Sequence, residues 1–219
     1  SEGKLAEARD DIVDELRNIG YPRPETRVTI LGGIDVGDPE ALDRLHDHAV
    51  AELGHVDFLI NNAGISGAEE MVVDMTRADW DRTMEANLIS NYSLIRKFSP
   101  AMKAGGKGSI LNVSSYFGGE KYVAVAYPNR ADYAVSKAGQ RVLAEILSRH
   151  LGPEIQINAL APGPVDGARL RGSAEAPGLF DRRGRLVLEN KRLNEVHKAI
   201  LAGMSAGFSA DDVVSLASN

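Results

Sequence analysis

Four short apolar runs, spaced by stretches of helical periodicity, constrain this chain more than any other feature. They are Thr26–Leu31 (TRVTIL), Val56–Asn61 (VDFLIN), Ser109–Val113 (SILNV) and Ile155–Leu160 (IQINAL). Before the first, Leu5, Ile12, Leu16 and Ile19 recur at helical spacing until Gly20 stops the run. Asp38 followed by Pro39 makes a helix start, after which Leu42, Leu45, Ala49 and Leu53 share one face. Thr76 and Asp79 open a long helix carrying Trp80, Met84, Leu88 and Ile95, which Pro100 bends or ends. A further helix is expected over residues 131–151. Strands this short and this apolar, alternating with helices, predict strands buried on both faces of a parallel, doubly wound α/β sheet.

The chain's 219 residues suffice for one domain with a real core. A formal charge of −6 without a dense basic run argues against a nucleic-acid surface, so no nucleic-acid partner is expected. Cysteine is absent, which excludes disulfides, thiolate nucleophiles and Cys-ligated metal. The five histidines have no metal-ligand spacing, so no metal is expected. No apolar stretch approaches the roughly 18 residues of a membrane helix, so no membrane partner is expected. The chain opens at Ser1 in charged helical sequence without a signal-like segment, and reads as a cytoplasmic piece of something longer.

Chemistry concentrates where strands end, the side on which open α/β sheets bind ligands. Asp35-Val36, Asn61-Asn62-Ala63-Gly64, Asn112-Val113-Ser114-Ser115 and Pro162-Gly163 each follow one of the four runs. Small residues let backbone approach a flat ligand, and asparagine side chains tie down a turn. Tyr133 and Lys137 stand four apart, one above the other on a helix. A free phenol titrates near 10, and an ammonium beside one favours phenolate, the condition for moving a proton at neutral pH. By itself this spacing fits a surface pair as well. Its weight comes from the rim residues around it.

Together these residues resemble the short-chain dehydrogenase/reductase family over about residues 1–170. Segments Leu88–Leu94, Asn112–Lys121, Tyr127–Gln140, Leu151–Val165 and Leu188–Leu193 are similar to the malonyl-CoA-reducing branch of that family. The resemblance implies a Rossmann-like domain over 1–170 and, over 171–219, a helical lid or extension of the same domain. It implies NADPH as cofactor, held by Asp35, Val36, Asn61, Asn62, Ala63, Gly64, Tyr133, Lys137, Pro162, Gly163 and Val165. Ser115, Tyr133 and Lys137 would be catalytic, with Asn87 holding a water beside the lysine. The second serine is preferred to Ser114 because family motifs usually use it, and alternation along a strand lets only one of the two face the site. The implied reaction is reduction of malonyl-CoA to malonate semialdehyde with release of CoA, on the route to 3-hydroxypropionate. A homodimer, and a place within a larger polypeptide of two halves, are implied as well.

The chain departs from the family pattern twice. The separation of Ser115 from Tyr133 is 18 positions, longer than usual, and the extra loop carries Arg130. That guanidinium is a candidate for a substrate carboxylate, equally weighted with a solvated loop arginine; Arg169 and Arg171 are second candidates. The strand, glycine-rich loop and helix that open the family fold, and receive the pyrophosphate, are not in this sequence. The fold is therefore expected to be incomplete, lacking its first β-α-β unit. Two other functions remain open: a relative reducing a 3-oxoacyl or other ketone with the same residues, and a non-catalytic fragment whose long helices serve dimer contacts.

Overall fold

The computed structural model describes residues 2–119 and 127–163. Three strands, β1 (Phe58–Asn61), β2 (Gly108–Val113) and β3 (Ile155–Leu160), form a parallel sheet in the order β1-β2-β3. Asn61 pairs with Asn112, and Asn112 with Ala159, so the carboxyl ends of all three strands reach one rim. Helices α3 (Arg77–Met84) and α4 (Ser90–Ala104) connect β1 to β2, and α5 (Ala131–Leu151) precedes β3. The chain moves across the sheet in one direction, and right-handed crossovers then place every connecting helix on the same face.

That face holds the core. Ile110, Ile155 and Ile157 of the sheet cluster with Leu94, Ile95, Phe98 and Met102 of α4 and with Ala144 and Leu151 of α5. Helix α2 (Pro39–Leu53) adds Leu42 from the side, starting where the sequence places it: the Asp38 carboxylate accepts from the Glu40 N–H at 2.9 Å, and Pro39 occupies the first turn. The opposite face is bare among the described residues. Phe58, Ile60 and Leu160 are 75%, 63% and 53% exposed. The expectation that the strands are buried on both faces is thus corrected. Only crossovers stepping the other way from β1 would dress the second face, and none lies among the described residues.

A second correction has a physical reason of the same kind, and one reading left open, at Pro100, is decided. Thr26–Leu31 is not a strand. Pro24–Thr26 forms a 3-10 turn, and the β-branched run after it has no neighbouring strand to pair with among the described residues. Strand propensity describes fit to a pleated partner, which is missing here. Pro100 does not end its helix, which continues to Ala104. The break falls earlier, in a π turn over Glu85–Ile89 that separates α3 from α4. Helix α1 (Glu2–Asn18) matches the first periodic run. The expected helical lid or extension over 171–219 lies outside the described residues.

Candidate active site

The wide π turn drives Asn87 inward until it is fully buried. From there its side chain clasps the loop after β1 at two points: Oδ1 accepts from the Ile65 N–H at 2.8 Å, and Nδ2 donates to the Ile65 carbonyl at 3.1 Å. Nδ2 also donates to Ser136 Oγ at 3.0 Å. The clasp draws Gly64 over the site. A Cβ there would stand 2.9 Å from Asn87 Oδ1 and 3.5 Å from Lys137 Nζ, so only glycine lets the backbone pass this close to the ammonium. Asn62 and Ala63 are exposed at the rim, whereas the Asn61 side chain turns inward and donates to Asn112 Oδ1 at 2.9 Å.

The two serines at the end of β2 separate as alternation requires. Ser114 Oγ donates to the Lys137 carbonyl at 2.6 Å, which commits it to holding α5. Ser115 instead caps a 3-10 turn over Tyr116–Gly118, its oxygen accepting from the Phe117 N–H at 3.3 Å. Phe117 then meets the Tyr133 ring edge-on with centroids 5.7 Å apart. Lys137, 5% exposed, lies with its Nζ 5.8 Å from that ring's centroid, and donates to the Val113 carbonyl at 2.8 Å and to Gln140 Oε1 at 3.3 Å. Tyr133 and Lys137 therefore share one face of α5 beside the end of β2. The end of β3 is tied to the same place: the Ser114 and Tyr116 N–H groups donate to the Leu160 and Pro162 carbonyls at 2.7 and 3.1 Å.

Arg130 is no solvated loop residue. It is 2% exposed, with its guanidinium 4.7 Å from the Tyr133 ring centroid and 5.6 Å from that of Phe117. Nη1 pairs with Glu69 Oε1 at 2.5 Å. Asn129 Nδ2 donates to the Glu69 carbonyl at 3.3 Å, so the insertion before Tyr133 and the loop after β1 meet at two points. A third is Asp132, fully buried, whose carboxylate accepts from Ala68 N at 3.0 Å, Thr83 Oγ1 at 2.7 Å and Tyr133 N at 2.7 Å. The stapled loop borders a half-open cavity of about 260 Å³ lined by Ile65, Ser66, Ala68, Glu69, Arg82 and Thr83. Glu69, Asp132 and Gln140 are missing from the sequence-predicted set. The available signals were slight: an acid in the first turn of α5, and an amide one turn past Lys137.

Of the remaining expected cofactor residues, Asp35 is exposed and its carboxylate accepts from the Gly37 N–H at 2.9 Å, while Val36 packs on the core's edge. Gly163 is exposed beyond β3. Val165, Arg169 and Arg171 lie outside the described residues. Among the described residues no group of His, Asp or Glu has the geometry of a metal site, and no helix is long and apolar enough to cross a membrane.

An open parallel sheet, crossovers on one face and polar residues gathered at the strands' carboxyl ends define part of a doubly wound, Rossmann-like α/β domain. The family follows from likeness. A family model described as enoyl-(acyl carrier protein) reductase matches residues 14–209, and the chain belongs to the short-chain dehydrogenase/reductase family. It is similar to the C-domain of a bacterial malonyl-CoA reductase solved with NADP, with 57% identity and a TM-score of 0.81, covering 98% of this chain and 32% of that one. It is 33% identical over 161 residues to 7α-hydroxysteroid dehydrogenase of Escherichia coli K12, covering 73% of this chain. A solved 7α-hydroxysteroid dehydrogenase with NADH and 7-oxo glycochenodeoxycholic acid aligns with a TM-score of 0.59 at 33% identity, covering 72% of this chain and 57% of that one. The chain spans 58% of the length of the Escherichia coli relative.

Proposed function

We propose that this chain carries the proton-handling part of an NADPH-dependent reductase that converts malonyl-CoA to malonate semialdehyde and releases CoA. The observation that carries the reading is the placing of Lys137, Arg130 and Phe117, the last held in the turn that Ser115 caps, about the Tyr133 ring, in a chain 57% identical to a malonyl-CoA reductase C-domain that was solved with NADP.

The residues present suit a flat, polar cofactor at the rim. Gly64 leaves the face above Lys137 open to close approach, since a Cβ there would crowd Asn87 and the ammonium. Asn62, Ala63, Gly64, Pro162 and Gly163 would line it, Asp35 and Val36 would border its adenine end, and Lys137 would hold its ribose. When bound, NADPH supplies the hydride for reduction of the thioester carbonyl. Tyr133 gives its phenolic proton to the carbonyl oxygen as negative charge builds there. The Lys137 Nζ stands 5.8 Å from the centroid of the Tyr133 ring. Ser115 donates a hydrogen bond to the same oxygen, where fixed donors contribute most to rate. Asn87 holds the loop that carries Gly64. Arg130 keeps a positive charge beside Tyr133. It is a candidate for the acyl carboxylate of malonyl-CoA, which a guanidinium binds with charge-assisted hydrogen bonds. Arg169 and Arg171 remain candidates for the same carboxylate or for CoA phosphates. A homodimer is supported by exposed apolar side chains on α4 and α5, Tyr92, Val135, Val142 and Ile146. Membership of a larger two-half polypeptide is part of the same reading.

The test uses the full-length parent protein with NADPH and malonyl-CoA, following loss of nicotinamide absorbance together with free thiol. The expected result is coupled loss and thiol release, reduced roughly 10²- to 10⁴-fold by Tyr133→Phe. Reduction of a 3-oxoacyl or other ketone without thiol release from malonyl-CoA would replace this reading by the ketone one. Absence of NADPH oxidation with either substrate class would leave the scaffold reading.

A further inference from the structure

Gln140 is fully buried one helical turn beyond Lys137, and its side-chain amide is engaged at both ends. Oε1 accepts from Lys137 Nζ at 3.3 Å, and Nε2 donates to the backbone carbonyl of Asn87 in the π turn. Its own backbone carbonyl accepts from Asn112 Nδ2 at 3.3 Å, and Asn112 Oδ1 in turn accepts from Asn61 at 2.9 Å. One residue thus connects the ammonium to the π turn and to the ends of β1 and β2.

We infer that Gln140 is the positioning residue for Lys137. The inference rests on the reading of Lys137 as part of the reductase site. An ammonium has three N–H donors. Val113 O and Gln140 Oε1 fix the directions of two, and with them the direction of the third. Only an amide suits this position, because it must accept from a cation at one end and donate to a carbonyl at the other. A carboxylate keeps the first function and loses the second; a thioether of the same length loses both. The lysine is then held as a fixed charge beside the tyrosine.

The experiment compares Gln140→Met and Gln140→Glu in the full-length protein, well below the melting temperature of either. In Gln140→Met, kcat for the proposed thioester reduction is expected to fall roughly ten- to a hundredfold, the scale for a catalytic group displaced by about an ångström, with weakened NADPH binding. In Gln140→Glu the carboxylate still accepts from the ammonium, so Lys137 stays in place and NADPH binding stays within a few fold of the parent, whereas kcat falls because the new negative charge offsets the ammonium; both variants lose thermal stability. A second readout needs no turnover. Acetic anhydride footprinting with mass spectrometry should find Lys137 protected in the parent and in Gln140→Glu, and reactive in Gln140→Met. Equal NADPH binding in the two variants, with Lys137 equally protected, would overturn the role and leave Gln140 as packing alone. A parent inactive on malonyl-CoA with the footprint pattern intact would instead overturn the reductase reading and leave the positioning of Lys137 standing.

Discussion

Gly118 offers a one-methyl test of how Ser115 is placed. The 3-10 turn it closes lies directly on the backbone of α5, and a Cβ at this position would stand 2.5 Å from Ala138 N and 2.7 Å from Lys137 O, and closer still to Lys137 C. Its φ is not in the left-handed region, so alanine brings no backbone penalty and the effect is steric alone. Ordinary carbon contacts lie at about 3.5–4.0 Å, so the turn must lift from the helix by roughly 1 Å. The obstacle is main chain and cannot rotate away. Overpacking of this kind costs about 1–3 kcal/mol. For a chain of this size each kcal/mol lowers the melting temperature by about 2–4 °C, which puts Gly118→Ala on the order of 5 °C below the parent. The turn carries Ser115 and Phe117 with it, so a displacement of about an ångström should lower kcat on the order of a hundredfold. Gly119→Ala is the control next door: among the described residues its Cβ would meet only the end of the Arg141 side chain, at 3.2 Å, which can swing aside. Differential scanning calorimetry and NADPH oxidation by the full-length protein read both effects. Equal melting temperatures and equal rates for the two variants would refute the idea that this backbone contact sets the serine.

Asp132→Ala removes the acceptor of three hydrogen bonds and leaves the Ala68 and Tyr133 N–H groups without it. At about 1–3 kcal/mol for each stranded buried donor, urea denaturation should find the variant roughly 3–5 kcal/mol less stable. The Asp57 carboxyl is held below its ordinary value of 3.8, first by its hydrogen bond with Lys107, against a raising effect of burial, and further by the charge of Lys107 and by His55. A depressed carboxyl stabilises the fold above the unfolded value and loses that contribution as pH falls through the folded one. Melting temperatures from pH 5 down to pH 2 should therefore fall less steeply in Asp57→Asn than in the parent. The group is exposed, so the difference should be small and should shrink in about 1 M salt.

Periodicity and punctuation made much of the fold legible. The Asp38-Pro39 start of α2, the three paired strands and the bounds of α5 all follow from local signals that agree with their surroundings. Thr26–Leu31 failed because strand formation depends on a neighbour, a property no residue carries by itself. The π turn was invisible because it needs no special residue. Its consequence, an asparagine turned fully inward, exists only once the helix is built. At the site, spacing marked the Tyr133–Lys137 pair and the family resemblance implied Ser115; the structure adds that Ser114 Oγ is committed to the α5 backbone. Arg130 was legible as a charge but not as a buried partner of Glu69, since the two stand 61 positions apart and meet only when the two loops close on each other. Gln140 looked like an ordinary helical amide.

The one-sided dressing of the sheet divides the molecule's labour. Everything that grips the tyrosine and lysine (the π turn, the paired serines, the stapled loop) hangs from the helix-covered side and is wired through a single helix, α5. The naked plank of Phe58 and Ile60 takes no part in that wiring. Change on that side can retune how the sheet is completed while the cluster about Tyr133 stays as it is, whereas almost any shift of α5 is felt by Arg130, Tyr133 and Lys137 together.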